Sequence, residues 1–213
     1  MQQGAPVKPV LYYVHDPMCS WCWGFAPVLK DLLERLPASL RVKKLLGGLA
    51  PDTDEPMPEN MKTYIQETWR RIEQRILGTE FNFAFWSRCV PRRSTYPACR
   101  AVIAARYQGE QHEVAMTEAI QRAYYTQARN PSDETTLIEL AGEIGLNTAT
   151  FAGHLRADAT QQRLLHEISL ARQLGVDSFP GLVLKNGQSL WCVPVDYTRS
   201  APMIELINDL LAE

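Results

Sequence analysis

Long hydrophobic runs are missing from this 213-residue chain. No stretch approaches the roughly 18 apolar residues that a membrane span needs. The opening segment, MQQGAPVKPVLYYVHD, has no charged region followed by a long apolar core. Its first apolar run, Val10 to Val14, is shorter than the about 7–15 residues of a secretory signal. The sequence therefore predicts a protein that stays in the cytoplasm and has no membrane partner. A strong excess of either charge is missing as well. The 22 Lys and Arg set against 24 Asp and Glu leave a formal net charge of −2, which gives no electrostatic basis for binding nucleic acid. Basic residues gather only at Arg88, Arg92 and Arg93, a cluster read as solvated surface. Internal repeats and low-complexity tracts are absent too.

Cysteines are few: Cys19, Cys22, Cys89, Cys99 and Cys192. An odd number in a chain without an export signal argues against a framework of structural disulfides. A close pair in a reducing compartment is instead redox-active or metal-binding. A zinc site normally draws on a second close pair of Cys or His. Here Cys89 and Cys99 stand ten positions apart, and no His pair has ligand spacing. His15, Cys19 and Cys22 with Cys89 or Cys99 would complete one set, so zinc stays as an alternative to the preferred metal-free redox pair. Cys89, Cys99 and Cys192 are expected to be small buried hydrophobes; Cys99 opens a helix near the expected groove.

What is present has a clear order. VLYYV (Val10 to Val14) reads as a strand buried on both faces. After Cys19-Ser20-Trp21-Cys22, the residues Trp23, Ala26, Leu29, Leu32, Leu33 and Leu36 recur at helical spacing up to Pro37, with Pro27 kinking the helix. Arg41 to Leu46 reads as a second strand ending at Gly47-Gly48. From about Pro51 to Leu174 the pattern is helical. Met61, Tyr64, Ile65, Trp69, Ile72 and Ile76 share one face, and Pro97 opens a helix. Ser132 is a candidate cap, Asp158 with Gln161 a candidate capping box, and Gly145 and Gly175 are terminators. Strands return with Phe179 to Leu184, a turn signal at Asn186-Gly187, and Ser189 to Val195. Ser200 is placed to cap a last helix carrying Ile204, Ile207, Leu210 and Leu211. The Pro-rich, acidic stretch Pro51 to Pro58 is the expected linker between the two parts.

A CxxC at a helix start has physical reasons to be a redox centre. The spacing lets the sulfurs bond across a loop that costs little entropy to close. The first cysteine lies where unpaired amides and the helix dipole favour a thiolate. The second sits a turn further in and can resolve a mixed disulfide. Cys19 is the candidate nucleophile and Cys22 the resolving thiol.

The segment DPMCSWCWGF resembles the DsbA-like thioredoxin superfamily, especially its FrnE-type, predicted cytoplasmic disulfide-isomerase branch. GVDSFPGLVL (Gly175 to Leu184) resembles the cis-proline loop of that fold, and Arg93-Ser94-Thr95-Tyr96-Pro97-Ala98 resembles a segment that starts a helix near the redox centre. The resemblance implies an α/β thioredoxin fold interrupted by an all-helical insertion. Residues 1–56 and 175–213 would form the discontinuous thioredoxin-fold domain and 57–174 the inserted one. It implies that Pro180 is cis and faces Cys19 and Cys22, with Ser20, Trp21 and Phe179 shaping the site. Met18 is a candidate substrate rim, together with the exposed Trp21; Trp23 is expected inside. Implied partners are protein or peptide thiols and disulfides, with no cofactor beyond glutathione as a thiol substrate. Ser20-Trp21 departs from the Pro-His of DsbA and brings no positive charge to hold a Cys19 thiolate, so a weaker oxidant is expected. His15 would substitute if its ring reached Cys19, whereas Asp16 has the opposite sign and is placed to cap the helix. A kappa-class glutathione transferase shares this fold, but such enzymes generally carry serine where Cys19 stands. A non-enzymatic zinc-binding or chaperone-like module is the third reading.

Overall fold

The computed structural model describes residues 8–212. Residues 1–7, on which part of the N-terminal reading rests, and residue 213 lie outside the described residues. Strand β1 (Val10–His15) is paired on both sides. It runs parallel to β2 (Arg41–Leu46) and antiparallel to β3 (Gly181–Asn186), which pairs antiparallel with β4 (Ser189–Val193), giving the order β2-β1-β3-β4. Helix α1 (Ser20–Arg35) crosses between β1 and β2, as a parallel pair requires. Side chains alternate across the sheet. Leu11 and Tyr13 of β1 and Leu182 and Leu184 of β3 pack on Phe25 and Leu32 of α1 and on Met203 and Ile207 of α9 (Ala201–Ala212). The alternate residues Val14 and Val183 face Leu45 and Ala171 on the other side. Two covered faces explain why β1 is apolar throughout.

The intervening helices are α2 (Glu59–Arg75), α3 (Phe85–Arg88), α4 (Tyr96–Arg106), α5 (His112–Tyr125), α6 (Glu134–Glu143), α7 (Thr148–Arg156) and α8 (Asp158–Gln173). Trp69 of α2 is fully buried at their centre, with Phe81, Trp86, Tyr124 and Tyr125 ring centroids 4.9, 5.0, 5.5 and 5.7 Å away. Helix α4 buries Ala98, Ala101, Ala104 and Ala105, small residues that let neighbouring helices approach. Helix α8 serves both parts. Its Leu164 and Ile168 lie in the helical core, while Leu170, Ala171 and Leu174 pack toward the sheet. Among the described residues no helix is long and apolar enough to cross a membrane.

Several local expectations are corrected. The stretch expected as a linker is pinned: Met57 is buried, its N–H donates to the Pro91 carbonyl, and Pro56 bridges Arg92. Ser132 does not cap α6; its hydroxyl donates to the Ser94 carbonyl at 2.7 Å, and Asp133 takes the cap position. The Asp158–Gln161 box does not form, because Gln161 accepts from Arg100 and Ala157 precedes the helix. The Ser200 hydroxyl turns to Asp31 and Arg35 of α1. Asn186 pairs with Ser189, so the hairpin turn is Gly187-Gln188, with Gly187 at φ +59. Of the three remaining cysteines only Cys99 is fully buried. Cys89 is half-buried, and Cys192 is exposed because it points from edge strand β4 away from the face that buries Val193.

Glu167 of α8 ties the helices to the sheet edge. It is 3% exposed and accepts from the Leu46 N–H at 2.9 Å and from Arg106 at 2.5 Å. Glu167→Ala leaves the mostly buried Arg106 and the Leu46 amide short of a partner, and is expected to cost about 3–5 kcal/mol in urea unfolding. Arg156→Ala, which breaks a solvent-exposed pair with Glu134, is expected to leave the urea midpoint nearly unchanged in the same measurement.

Candidate active site

Strand β1 ends against the sheet's helical partner, and the chain turns through Asp16-Pro17-Met18 into α1. Cys19 occupies the N-cap of α1, and no side chain caps that helix, so its first amides point toward the cysteine pair. Cys19 is 6% and Cys22 1% exposed, and both are free thiols. The Cys19 thiol donates to the Phe179 carbonyl at 3.4 Å, and the following Phe179–Pro180 peptide bond is cis. The loop before β3 thus stands against the first cysteine. The Phe179 ring rests on Gly47 so closely that a Cβ there would lie 2.1 Å from it; only glycine leaves that seat open.

A groove of about 330 Å³ opens over Cys19, walled by Met18, Cys19, Ser20, Trp21 and Phe179 together with Tyr64, Thr68 and Arg93. Cys22 and the buried Pro180 are not part of that wall. Met18, expected as a rim, is 7% exposed and forms a covered wall, because Asp16 pulls its N–H inward at 2.8 Å. Trp21 is half-buried, its ring 5.0 Å from that of Tyr197 and 5.7 Å from the Arg75 guanidinium. A cation from α2 therefore stands beside the dipeptide that carries none of its own. Ser20 accepts from the Trp69 indole N–H at 2.9 Å. Trp23, expected inside, is half-buried, stacked on Tyr125, and donates to the Glu80 carbonyl.

Burial pushes the Cys22 thiol well up, and its hydrogen bond with Cys19 and the Cys19 charge add to this. Tyr13 and Tyr197 are likewise held up by burial first and by the two cysteines next, and Tyr125 by burial, then Tyr124, then Cys19. The pair is thus surrounded by neutral phenols. None of these tyrosines, nor Trp69, was singled out for the site from the sequence. Tyr13 had a signal, since it shares the sheet face that α1 covers; Tyr125 and Tyr197 come from distant segments and had none.

Asp16 does not cap α1. It is fully buried and accepts from the N–H of Met18 at 2.8 Å, the N–H of Leu49 at 2.7 Å, the Thr95 hydroxyl at 2.7 Å and the Cys99 thiol at 3.4 Å. Burial raises its carboxyl, against the pull of these four donors. Thr95 gives the Arg93–Ala98 segment its place in the site, and Cys99 sits behind the groove rather than in it. His15 is 2% exposed, stacks on Tyr13 at 4.9 Å, and has no partner for Nε2 among the described residues. Burial, then the charges of Lys44 and Arg106, lower its pKa to about 3, so it is neutral and supplies no charge to Cys19. Among the described residues no three His, Cys, Asp or Glu side chains are placed to hold a metal ion.

A strand–CxxC–helix unit, a cis-proline loop against the first cysteine and a helical insertion define a DsbA-like thioredoxin fold. A family model described as thioredoxin matches residues 12–191, and the chain belongs to that family. It is similar to a proposed protein disulfide isomerase from Nitrosomonas europaea, with a TM-score of 0.83 and 30% identity over 97% of this chain and 98% of that one. It is also similar to the cytosolic disulfide reductase DsbM of Pseudomonas aeruginosa, with a TM-score of 0.76 and 25% identity over 95% of this chain and 98% of that one. DsbM has also been solved with GSH. A curated relative, the ClpXP adapter protein SpxH of Bacillus subtilis strain 168, is 25% identical over 186 residues, 87% of this chain and 61% of that protein. The chain thus spans about three-fifths of the length of the curated relatives it matches.

His15 titrates near 6.5 when unfolded and near 3 when folded, so the folded state binds fewer protons between these values. Its contribution to stability is complete above pH 6.5 and is lost as the pH falls toward 3. His15→Phe keeps the stack on Tyr13 and removes this titration. Urea melts at neutral pH and at about pH 4 are expected to show a smaller acid loss for the variant than for wild type, the difference being a few kcal/mol.

Proposed function

We propose that this protein is a cytoplasmic thiol–disulfide oxidoreductase that reduces or isomerises disulfides through Cys19 and Cys22. The observation that carries the reading is the Cys19 thiol at the α1 N-cap, 3.4 Å from the carbonyl that precedes Pro180. There an extended peptide or a small disulfide can lie along the Phe179 backbone with one sulfur facing Cys19. The Cys19 thiolate attacks that sulfur, forming a mixed disulfide and expelling a substrate thiolate. Cys22 then gives up its proton and attacks the Cys19 sulfur, releasing the second substrate thiolate and leaving a Cys19–Cys22 disulfide. Two electrons pass to the substrate, and an external thiol such as glutathione returns them to the pair. The raised Cys22 thiol keeps its proton until the mixed disulfide forms. A reducing direction fits the glutathione poise of a cytoplasm. The similarity to DsbM, which has been solved with GSH, supports glutathione as the thiol.

Cys19→Ser is expected to bring insulin reduction, followed by turbidity with glutathione as donor, down to background. Cys22→Ser should keep the first attack and accumulate a covalent adduct on Cys19, visible as a mass increase that dithiothreitol reverses. Full turnover by Cys19→Ser would overturn the proposal. A second reading, a binding adapter, is favoured by the curated relatives, which are named ClpXP adapters. An adapter whose partner binding and delivery survive Cys19→Ser unchanged would support it.

A further inference from the structure

A second cavity of about 570 Å³ lies between α1 and α5, on the other side of Cys22 from the groove. In the parallel register Tyr13 pairs with Lys44 and His15 with Leu46, so Tyr13, His15 and Lys44 project from one face of the sheet into this space. The stacked rings of Tyr13 and His15 form the floor. Trp23, Ala26, Leu29 and Leu33 of α1 and Val114 of α5 make the walls apolar.

Lys30, Glu34, Thr117, Glu118, Gln121 and Arg122 add a polar rim to this lining, and two polar groups beside the floor lack partners among the described residues. The His15 Nε2 is buried without a hydrogen bond, whereas buried polar atoms are normally paired. Lys44 is half-buried and makes no ion pair. The two carboxylates whose charge acts on it have other partners, Glu113 in Arg106 at 2.6 Å and Glu118, on the exposed rim, in Arg122 at 3.6 Å. An apolar cavity of this size with a few convergent polar groups has the build of a small-molecule site. The unpaired ammonium selects an acid over an amine, and a carboxylate seated there would also offer His15 an acceptor.

We infer that this cavity binds a small amphipathic carboxylate, its acid at Lys44 and His15 and its apolar body along α1. Such a ligand would lie against Tyr13 and Cys22 from behind, without entering the disulfide groove. The inference does not depend on the redox reading, because binding is measurable without turnover.

Isothermal titration of the full chain with decanoate, and with decanol as the uncharged match, tests it. Decanoate is expected to bind at least about tenfold more tightly than decanol. Lys44→Met should erase that difference and Lys44→Arg should restore most of it. Val114→Trp, at the mouth of the cavity, should weaken both ligands. Circular dichroism melts of the variants establish that each is folded. No heat of binding with folded wild type, equal affinity for acid and alcohol, or unchanged decanoate affinity in folded Lys44→Met would each overturn the inference.

Discussion

The carboxylate of Asp16 is the constraint on which the rest of the site depends. It gathers donors from three separate stretches of chain: the turn into α1 through Met18, the exit from β2 through Leu49, and the start of α4 through Thr95 and Cys99. Removing a carboxylate from water is costly, and here four directed donors offset that cost in part. The consequence is geometric. With the Met18 amide held, Cys19 must emerge at the first residue before α1, and with Thr95 held, the helical insertion must sit over it. An aspartate three residues before the N-cap Cys19 was placed to cap the helix, but its side chain is turned across the molecule instead.

The insertion is more than a lid attached at two points. Trp69 places its indole N–H on Ser20, Arg75 lies over Trp21, and Glu167 holds the amide of Leu46 at the end of β2. Each contact joins a helix of the insertion to a residue next to the cysteines or to the sheet edge beside them. The two parts therefore share a boundary that is largely the site itself.

Much of this was legible in the chain. The span of α1 followed from side-chain periodicity, Arg41 to Leu46 was read as a strand ending at Gly47-Gly48, Gly145 and Gly175 ended helices at φ +83 and +78, and the cysteine pair followed from spacing alone. The helices α3, α5 and α7 were not individually resolved by pattern, because the burial of α5 is nearly all-round toward its C-terminus and α3 has only four residues. Caps failed for a common reason. Ser132, Gln161 and Ser200 each found a tertiary partner that local sequence does not reveal. Two of the phenols around the cysteines were invisible for the same cause, since Tyr125 and Tyr197 come from segments far from Cys19 and Cys22 in the chain. Cys192 was misplaced because hydropathy does not say which side of an edge strand a helix will cover.

The depth of the two sulfurs has a consequence of its own. With Cys19 at 6% and Cys22 at 1% exposure, neither sulfur stands proud of the surface. Trp21 and Phe179 both wall the groove in which Cys19 lies, and the Phe179 ring rests directly on Gly47. On the proposed redox reading, a recessed Cys19 favours partners whose sulfur protrudes far enough to reach it.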